Sequence, residues 1–391
     1  MKRIIIGAMA AAALLACSKD QVIEQNRAND EIAFSVVADN QTKAEAVYCA
    51  NNLLPEFDVA ATYTKTGETA AQWYFQNDNI VFENSAWVNN PTTRYWADGG
   101  TLDFYAIYNG DMTLTAVGTA PALPTVDFTP AVSVADQKDL LYAVATGKTK
   151  TTDAVALNFR HALSQIEFRA RNTNAQLHVV IEDVQVGHTP STGTFTYPAG
   201  ATDVNFENHD QDAAASPALN TGSWAVGEAT ADYTASFSPV TVAGNNKNVP
   251  LTLSNDVENV ANSMLLIPAT TTAWTPAASQ DDFDGTYLAV NCKIYNVAGT
   301  SYVEGDICLH EGWAVMPVAF AWEPGKKYIY TFVFGKGNGG YDGGDPDPDP
   351  DPDPDPENPT PSDDPVLVPI SYEVTVDDFQ KGIDSDVTMQ Y

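Results

Sequence analysis

Hydrophobic and polar residues alternate along most of this chain, with the period of two that is typical of β-strands. The segment 102–108 shows the pattern well, because Leu102, Phe104 and Ala106 fall on one side of the predicted strand. No amphipathic helical pattern extends beyond about two turns. The predicted strands are 31–37, 57–63, 72–75, 80–82, 102–108, 140–145, 155–159, 166–170, 177–186, 233–237, 250–253, 264–267, 287–295, 301–309, 313–320 and 328–334.

Many short strands separated by turn residues, as at Pro324-Gly325, predict an all-β protein. The length of 391 residues is enough for two domains that each bury a core. We therefore expect two β-sandwich domains in tandem, at residues 45–185 and 186–341.

The C-terminal end has two unusual segments. Residues 345–356 alternate Asp and Pro within a linker at 342–365, and proline favours extended chain because it fixes φ. The tether from Tyr341 to Pro365 spans on the order of 70 Å when fully extended. The apolar segment 366–376 then predicts one or two strands, with a kink at Pro369. Such a strand must complete a sheet in a neighbouring subunit or, as the alternative, fold back onto its own.

The N-terminal end indicates export. Lys2 and Arg3 precede an apolar run that is too short to span a membrane, which is typical of a secretory signal peptide at residues 1–16. The following residues up to Cys17 resemble a bacterial lipobox, in which the cysteine thiol receives a lipid. An ordinary signal peptide with a chance cysteine is the alternative. Lipidation of Cys17 predicts stable anchoring to a membrane through several acyl chains.

Composition excludes several classes of function. The formal net charge of −32 argues against binding to nucleic acid, whose phosphates repel an acidic surface. Besides Cys17, the cysteines are Cys49, Cys292 and Cys308, and no CxxC motif offers a zinc site. Cys292 and Cys308 flank a predicted hairpin, so a disulfide and two free buried thiols are both open. We expect no metal and no cofactor apart from the covalent lipid on Cys17.

The sequence also lacks the common catalytic motifs. It has no HExxH, GxSxG or P-loop in a suitable setting. His161 lies beside a predicted apolar strand and is expected to be a structural residue. We therefore predict that the protein is not an enzyme.

Several stretches of the sequence together resemble the fimbrillin family of Gram-negative gut and oral bacteria. Their order and spacing carry the resemblance, and the segment 157–168 is the most specific of them. The stretches are 95–100 with 102–106, 139–143, 157–168, 265–268 and 322–328.

The resemblance implies a surface lipoprotein with two transthyretin-like β-sandwiches, built into a pilus used for adhesion. In this family a surface protease removes the N-terminal peptide with the first strand, and the C-terminal strand of another subunit fills the groove. On this chain the lipidated propeptide is 17–44, and its first strand is 31–37. Cleavage is expected between Lys43 and Ala44, where family members usually carry arginine instead of Lys43.

The donor strand implied by the resemblance lies in the C-terminal tail, 366–391. Its partners are other pilin subunits, of the same or a different kind, and the outer membrane through the lipid; no receptor is indicated. The implied location is the cell outer membrane, surface-exposed and lipid-anchored before assembly. The expected plugs are Val366, Val368, Ile370 (or Leu367), Tyr372, Val374 and Val376.

A surface glycan-binding lipoprotein that does not polymerise is the main alternative. Aromatic side chains at 73–75, Trp87 and 95–96 are candidates for a platform that stacks against sugars. The competing interpretation places the same rings in the sandwich cores, which large aromatic side chains commonly fill.

Overall fold

The computed structural model describes residues 31–37, 54–83, 86–90, 92–202, 220–253, 261–276, 283–297, 302–335, 341–342, 370–378 and 388–389. Nearly all regular structure in these ranges is β, which confirms the predicted all-β fold. A single 3-10 turn, Val134–Asp136, is the exception among the described elements. The strands are β1 (Phe34–Val37), β2 (Glu56–Thr64), β3 (Ala71–Glu83), β4 (Ala86–Asn90), β5 (Thr101–Tyr108), β6 (Thr125–Phe128), β7 (Leu141–Lys148), β8 (Val155–Asn158), β9 (Arg160–His161), β10 (Ser164–Asn172), β11 (Leu177–Pro190), β12 (Gly193–Thr196), β13 (Ser223–Val226), β14 (Thr230–Val242), β15 (Val249–Pro250), β16 (Thr252–Leu253), β17 (Ala261–Asn262), β18 (Met264–Leu266), β19 (Tyr287–Asn296), β20 (Ile307–Pro317), β21 (Lys326–Phe334), β22 (Tyr341–Asp342), β23 (Ile370–Asp378) and β24 (Thr388–Met389).

The N-terminal sandwich is built on a sheet with the order β4-β3-β2-β5-β7-β9. This sheet is covered on both faces. Along β5, Leu102 and Phe104 point into the core shared with β1 and β8, whereas Tyr105 and Ile107 point into a second core shared with β6 and β12. Alternate residues of the segment 102–108 thus face two different apolar cores, rather than a core on one side and solvent on the other.

The C-terminal sandwich has two sheets that face each other. One has the order β14-β11-β19-β20-β22, and the other has the order β15-β10-β21-β23-β24, with β18 also pairing with β10. One core lies between them and contains Phe168, Val184, Leu288 and Phe332. The two sheets confirm the predicted sandwich.

The chain passes between the two sandwiches more than once. The predicted boundary at residue 185 falls inside β11, and β10 already belongs to a C-terminal sheet. β12 and β13 then return to the N-terminal half and pair with β6. Strand spacing along the sequence locates strands but does not assign them to sheets.

The predicted hairpin after residue 287 needs a correction. The predicted strands 301–309 and 313–320 are one strand, β20, which runs from Ile307 to Pro317 and pairs with β19. Gly312 lies within β20 with a φ of 126°, a conformation that glycine adopts without strain. The glycine therefore interrupts the sequence pattern without ending the strand.

Cys292 and Cys308 do not form a disulfide. Cys292 is buried in the C-terminal core, while Cys308 is exposed and lies opposite Tyr295 in the β19–β20 ladder. Burial raises the pKa of the Cys292 thiol well above its ordinary range. The two thiols are free, but only one of them is buried.

Candidate functional site

The first strand fills a groove in the N-terminal sandwich. Ile32, Phe34 and Val36 point inward and are 2%, 1% and 1% exposed. The Phe34 ring meets the rings of Phe57 and Phe104 edge-on, with centroid separations of 6.2 Å and 5.5 Å. These contacts make the strand a plug with an aromatic side chain at its centre.

Compared with this extensive side-chain packing, the backbone of β1 pairs with a neighbouring strand over only a short stretch. β1 runs parallel to β8, from Phe34 opposite Val155 to Val37 opposite Asn158. Ahead of β1, the amide of Ile32 donates to the carbonyl of Arg94 at 2.8 Å. Burial of the three inward side chains contributes about 5–9 kcal/mol gross, at ~1.5–3 kcal/mol each. Packing therefore holds this strand more than its ladder does.

The C-terminal strand lies on the chain's own C-terminal sheet. β23 pairs antiparallel with β21, from Ile370 opposite Phe334 to Asp378 opposite Lys326. Ile370 and Val374 are buried in the core, and Tyr372 packs against it. This arrangement corresponds to the alternative in which the tail folds back onto its own sheet.

The outer face of β23 carries charge. Glu373 forms an ion pair with Arg171 of β10 across the intervening β21. Val376, the last of the predicted plugs, also packs against the C-terminal core. Four of the predicted plugs lie in the part of the chain that the structure describes, and they share one face of β23, as their alternation predicted. They are Ile370, Tyr372, Val374 and Val376.

The other predicted site residues lie outside the described residues. These are Cys17 at the lipidation site, Lys43 and Ala44 at the cleavage site, and Val366 and Val368 ahead of β23. Pro369, where a kink was expected, is also outside, and β23 begins at the following residue. The predictions at these positions stay predictions.

The aromatic residues proposed as a sugar platform are mostly internal. The exposed pair is Tyr74 and Tyr95, at 36% and 53% exposure, and the Tyr74 hydroxyl donates to the Tyr95 carbonyl at 2.7 Å. The remaining rings fill the cores, so they do not form a stacking surface. The buried members are Trp73, Phe75, Trp87 and Trp96.

His161 is buried at the junction of the sandwiches, where Nδ1 hydrogen-bonds to Oδ2 of Asp139. Burial raises the pKa of Asp139, and the neighbouring His161 opposes this shift. The pair joins two of the stretches that carry the family resemblance. Across the described part of the chain, no three His, Cys, Asp or Glu side chains come together as metal ligands.

The same junction contains the segment 157–168 and the turn before β21. Ser164 Oγ donates to the carbonyl of Glu323 at 2.8 Å, and the amide of Gly325 donates to the carbonyl of Leu163 at 2.9 Å. These bonds fasten the start of β10 to the turn at 322–327. The chain crosses here from β9 of the N-terminal sheet to β10 of the C-terminal sheet, and these bonds hold the crossing point on its C-terminal side.

Sequence reasoning identified the first strand but not the side chains that act as its plugs. The alternation of Ile32, Phe34 and Val36 in the sequence is the signal that would have identified them. No local sequence pattern predicts the ion pair between Arg171 and Glu373, because the two residues are far apart along the chain.

No described helix is long and apolar enough to cross a membrane.

Structures similar to this chain come from Bacteroides, Parabacteroides and Porphyromonas species. A candidate cell adhesion protein from Bacteroides uniformis is 16% identical, with a TM-score of 0.40 and coverage of 89% of this chain and 99% of that chain. Another from Parabacteroides distasonis is 9% identical, with a TM-score of 0.41 and coverage of 89% and 98%. The fimbrial anchor protein Mfa2 from Porphyromonas gingivalis is 8% identical, with a TM-score of 0.33 and coverage of 89% and 98%.

No curated protein sequence matches this chain. The sequence profile of the fimbrillin-like family, in contrast, matches residues 42–344. The match begins after β1, next to the predicted cleavage site, and ends before the Asp-Pro tract. Since it covers most of the sequence, the chain belongs to the fimbrillin-like family, which comprises adhesion and structural proteins and not enzymes.

Proposed function

We propose that this protein is a fimbrial subunit or a pilus-associated surface lipoprotein that assembles by protease-triggered donor-strand exchange and supports cell adhesion. The observation that carries the proposal is the first strand. Its core-facing side chains are almost completely buried, yet it pairs with β8 over only four residues. It is therefore a separable plug in an apolar groove.

The sequence of events follows from the order of these elements. Lipid on Cys17 anchors the exported chain to the outer membrane. A cut between Lys43 and Ala44 removes the segment that contains β1 and exposes an apolar groove with unpaired backbone groups. The C-terminal strand of a neighbouring subunit then enters that groove, where a ladder and alternate side chains hold it.

The position of β23 fits a subunit that has not yet assembled. Its core-facing side chains are packed against the chain's own C-terminal core. The same side chains cannot be buried in a neighbour's groove at the same time, so assembly requires β23 to leave β21. The linker at 342–365 is long enough to carry it to another subunit. A head-to-tail contact of this kind produces a filament unless its rotation closes a ring.

The cleavage step is tested with Lys43→Ala in cells that express the full chain. We expect the variant to remain lipidated and monomeric, whereas the wild type forms polymers that survive mild denaturing gels. Lys247→Ala, at an exposed lysine on the surface of the described chain, is the matched control and should polymerise normally.

A second arm deletes residues 366–391, with intrinsic fluorescence used to confirm that the remaining body is folded. The folded deletion variant should not polymerise. Polymers in either the Lys43→Ala variant or the deletion variant would refute the proposal. A non-polymerising glycan-binding protein would show no polymers in any arm, including the wild type.

A further inference from the structure

We infer that the groove left by β1 accepts the tail of a second copy of this chain in one defined register, an inference that rests on the proposed function. The tail strand presents the same side-chain types as β1, at the same spacing and in the same order. The replacements are Ile370 for Ile32, Tyr372 for Phe34 and Val374 for Val36.

The shared pattern is Ile, an aromatic residue and Val at alternate positions. It occurs at 32–36 and at 370–374, and the sequence contains no other copy. In the described structure both sets of side chains point into a core. A strand that matches the plug in this way suits the groove of its own chain, which makes a second copy the partner.

The order of the pattern also sets the direction of insertion. β1 runs parallel to β8, and the tail carries its Ile, aromatic residue and Val in the same order along the chain. Only parallel insertion brings all three side chains to matching sites. Tyr372 then lies opposite Val155, and Val374 lies opposite Leu157.

The aromatic side chain fixes the register. The site of Phe34 is lined by the rings of Phe57 and Phe104 and needs a ring to fill it. Tyr372 is the one aromatic residue in the segment 366–376. A shift of two residues would place Ile370 or Val374 in that site and leave unfilled space, which is unfavourable in a packed core.

Glu373 is the mismatch in this comparison. It takes the place of Ser35, which is 1% exposed beneath the surface of the N-terminal sandwich. A carboxylate without a partner in such a place is unfavourable, whereas on its own sheet Glu373 pairs with Arg171. Glu373 therefore favours the docked position of the tail over donation, and Glu373→Ser should increase polymer yield.

Disulfide trapping tests the register in full chains that carry Cys49→Ser and Cys308→Ser. One population has Glu373→Cys and the other has Ala156→Cys, because Ser35 lies opposite Ala156 in the present β1–β8 ladder. After trimming at Lys43 and mixing, we expect an intermolecular disulfide between these two positions. Glu373→Cys with Thr331→Cys in one chain reports the docked position, since Glu373 lies opposite Thr331 there.

The outcomes separate the register from the mechanism. Polymers that cross-link from Ser371→Cys or Thr375→Cys, but not from Glu373→Cys, would overturn the register and leave strand exchange standing. A wild-type chain that forms no polymers after trimming would overturn the proposed function and this inference together. Tyr372→Ala should reduce cross-link yield at least tenfold, while Tyr372→Phe should retain it; equal yields from both would refute the role of the ring.

Discussion

β1 pairs with its neighbour along four residues, whereas β23 pairs with β21 along nine. Burial differs at the central aromatic residue: Ile32, Phe34 and Val36 are all almost inaccessible, whereas β23 buries Ile370 and Val374 but leaves Tyr372 only partly buried. Packing thus dominates at β1, and the backbone ladder dominates at β23. A ladder accepts many sequences, but a groove accepts only side chains that fit it, so selectivity in strand exchange resides in the groove.

The largest expected effect is on the stability of the uncleaved protein. Phe34→Ala removes a ring from a closely packed core and should lower the free energy of unfolding by about 3–5 kcal/mol. Tyr372→Ala, at a partly buried site, should lower it by about 1–3 kcal/mol. Urea unfolding followed by tryptophan fluorescence measures both values.

The control for this pair is Tyr95→Ala, because the Tyr95 side chain is exposed and only its carbonyl accepts the bond from Tyr74. Its free energy of unfolding should change by no more than about 0.5 kcal/mol. Equal losses for Phe34→Ala and Tyr372→Ala would contradict the contrast between a packed plug and a ladder strand.

The two cores also differ in buried hydroxyl groups. The core under β23 contains Tyr233 and Tyr328, and burial raises the pKa of each to about 12. Among the described residues, the core around β1 has no tyrosine with full burial. Tyr105, Tyr142 and Tyr197, in the second core of the N-terminal sandwich, also have pKa values raised by burial, so alkaline pH should weaken both sandwiches through their buried tyrosines.

Tyr233→Phe is expected to remove part of this sensitivity. Above pH 10 the tyrosine deprotonates in the unfolded chain but keeps its proton in the folded one, so the unfolded state binds fewer protons. The contribution of Tyr233 to the free energy of unfolding is fully present below pH 10. It falls by about 2–3 kcal/mol as the pH approaches 12. The buried Tyr233 hydroxyl has no hydrogen-bond partner, so phenylalanine should fit without loss at pH 8.

Urea unfolding of the wild type and of Tyr233→Phe at pH 8, 10 and 12 provides the measurement. The variant should lose about 2–3 kcal/mol less than the wild type between pH 10 and pH 12. Parallel pH profiles for the two proteins would show that Tyr233 does not titrate differently in the folded and unfolded states.

The sequence was sufficient to predict both strands but not their pairing partners. Alternation at 31–37 and at 366–376 determines which side chains share a face of each strand. It does not say which sheet that face will cover, because any apolar core accepts it. The sequence therefore predicts the tail as a strand but does not decide between its own sheet and a neighbour's as its partner.

The junction shows the same limit for polar residues. His161 was predicted to be structural, and it is buried beside Asp139. Their meeting depends on the pairing of β7 with β9, which brings Leu141 opposite His161. Pairings between strands that are distant in sequence follow from how sheets assemble, and local patterns carry little information about that step.

The smallest expected effect concerns the charge on β23. The ion pair between Arg171 and Glu373 is partly exposed, so it should contribute no more than about 1 kcal/mol. Glu373→Gln should therefore raise hydrogen–deuterium exchange in the segment 370–378 by no more than about fivefold at low salt. Salt screens such pairs, so the difference from the wild type should shrink at high salt.

Glu311→Gln is the matched control for this substitution. It removes the same charge from another partly exposed pair, in which Glu311 contacts Lys293 at 3.1 Å on the opposite sheet. Exchange in the segment 370–378 should not change in this variant. An equal rise in both variants would mean that net charge, rather than the contact with Arg171, controls how firmly β23 is held. The tail would then have no specific electrostatic hold on its own sheet, and its release for donation would depend on the apolar face and the ladder alone.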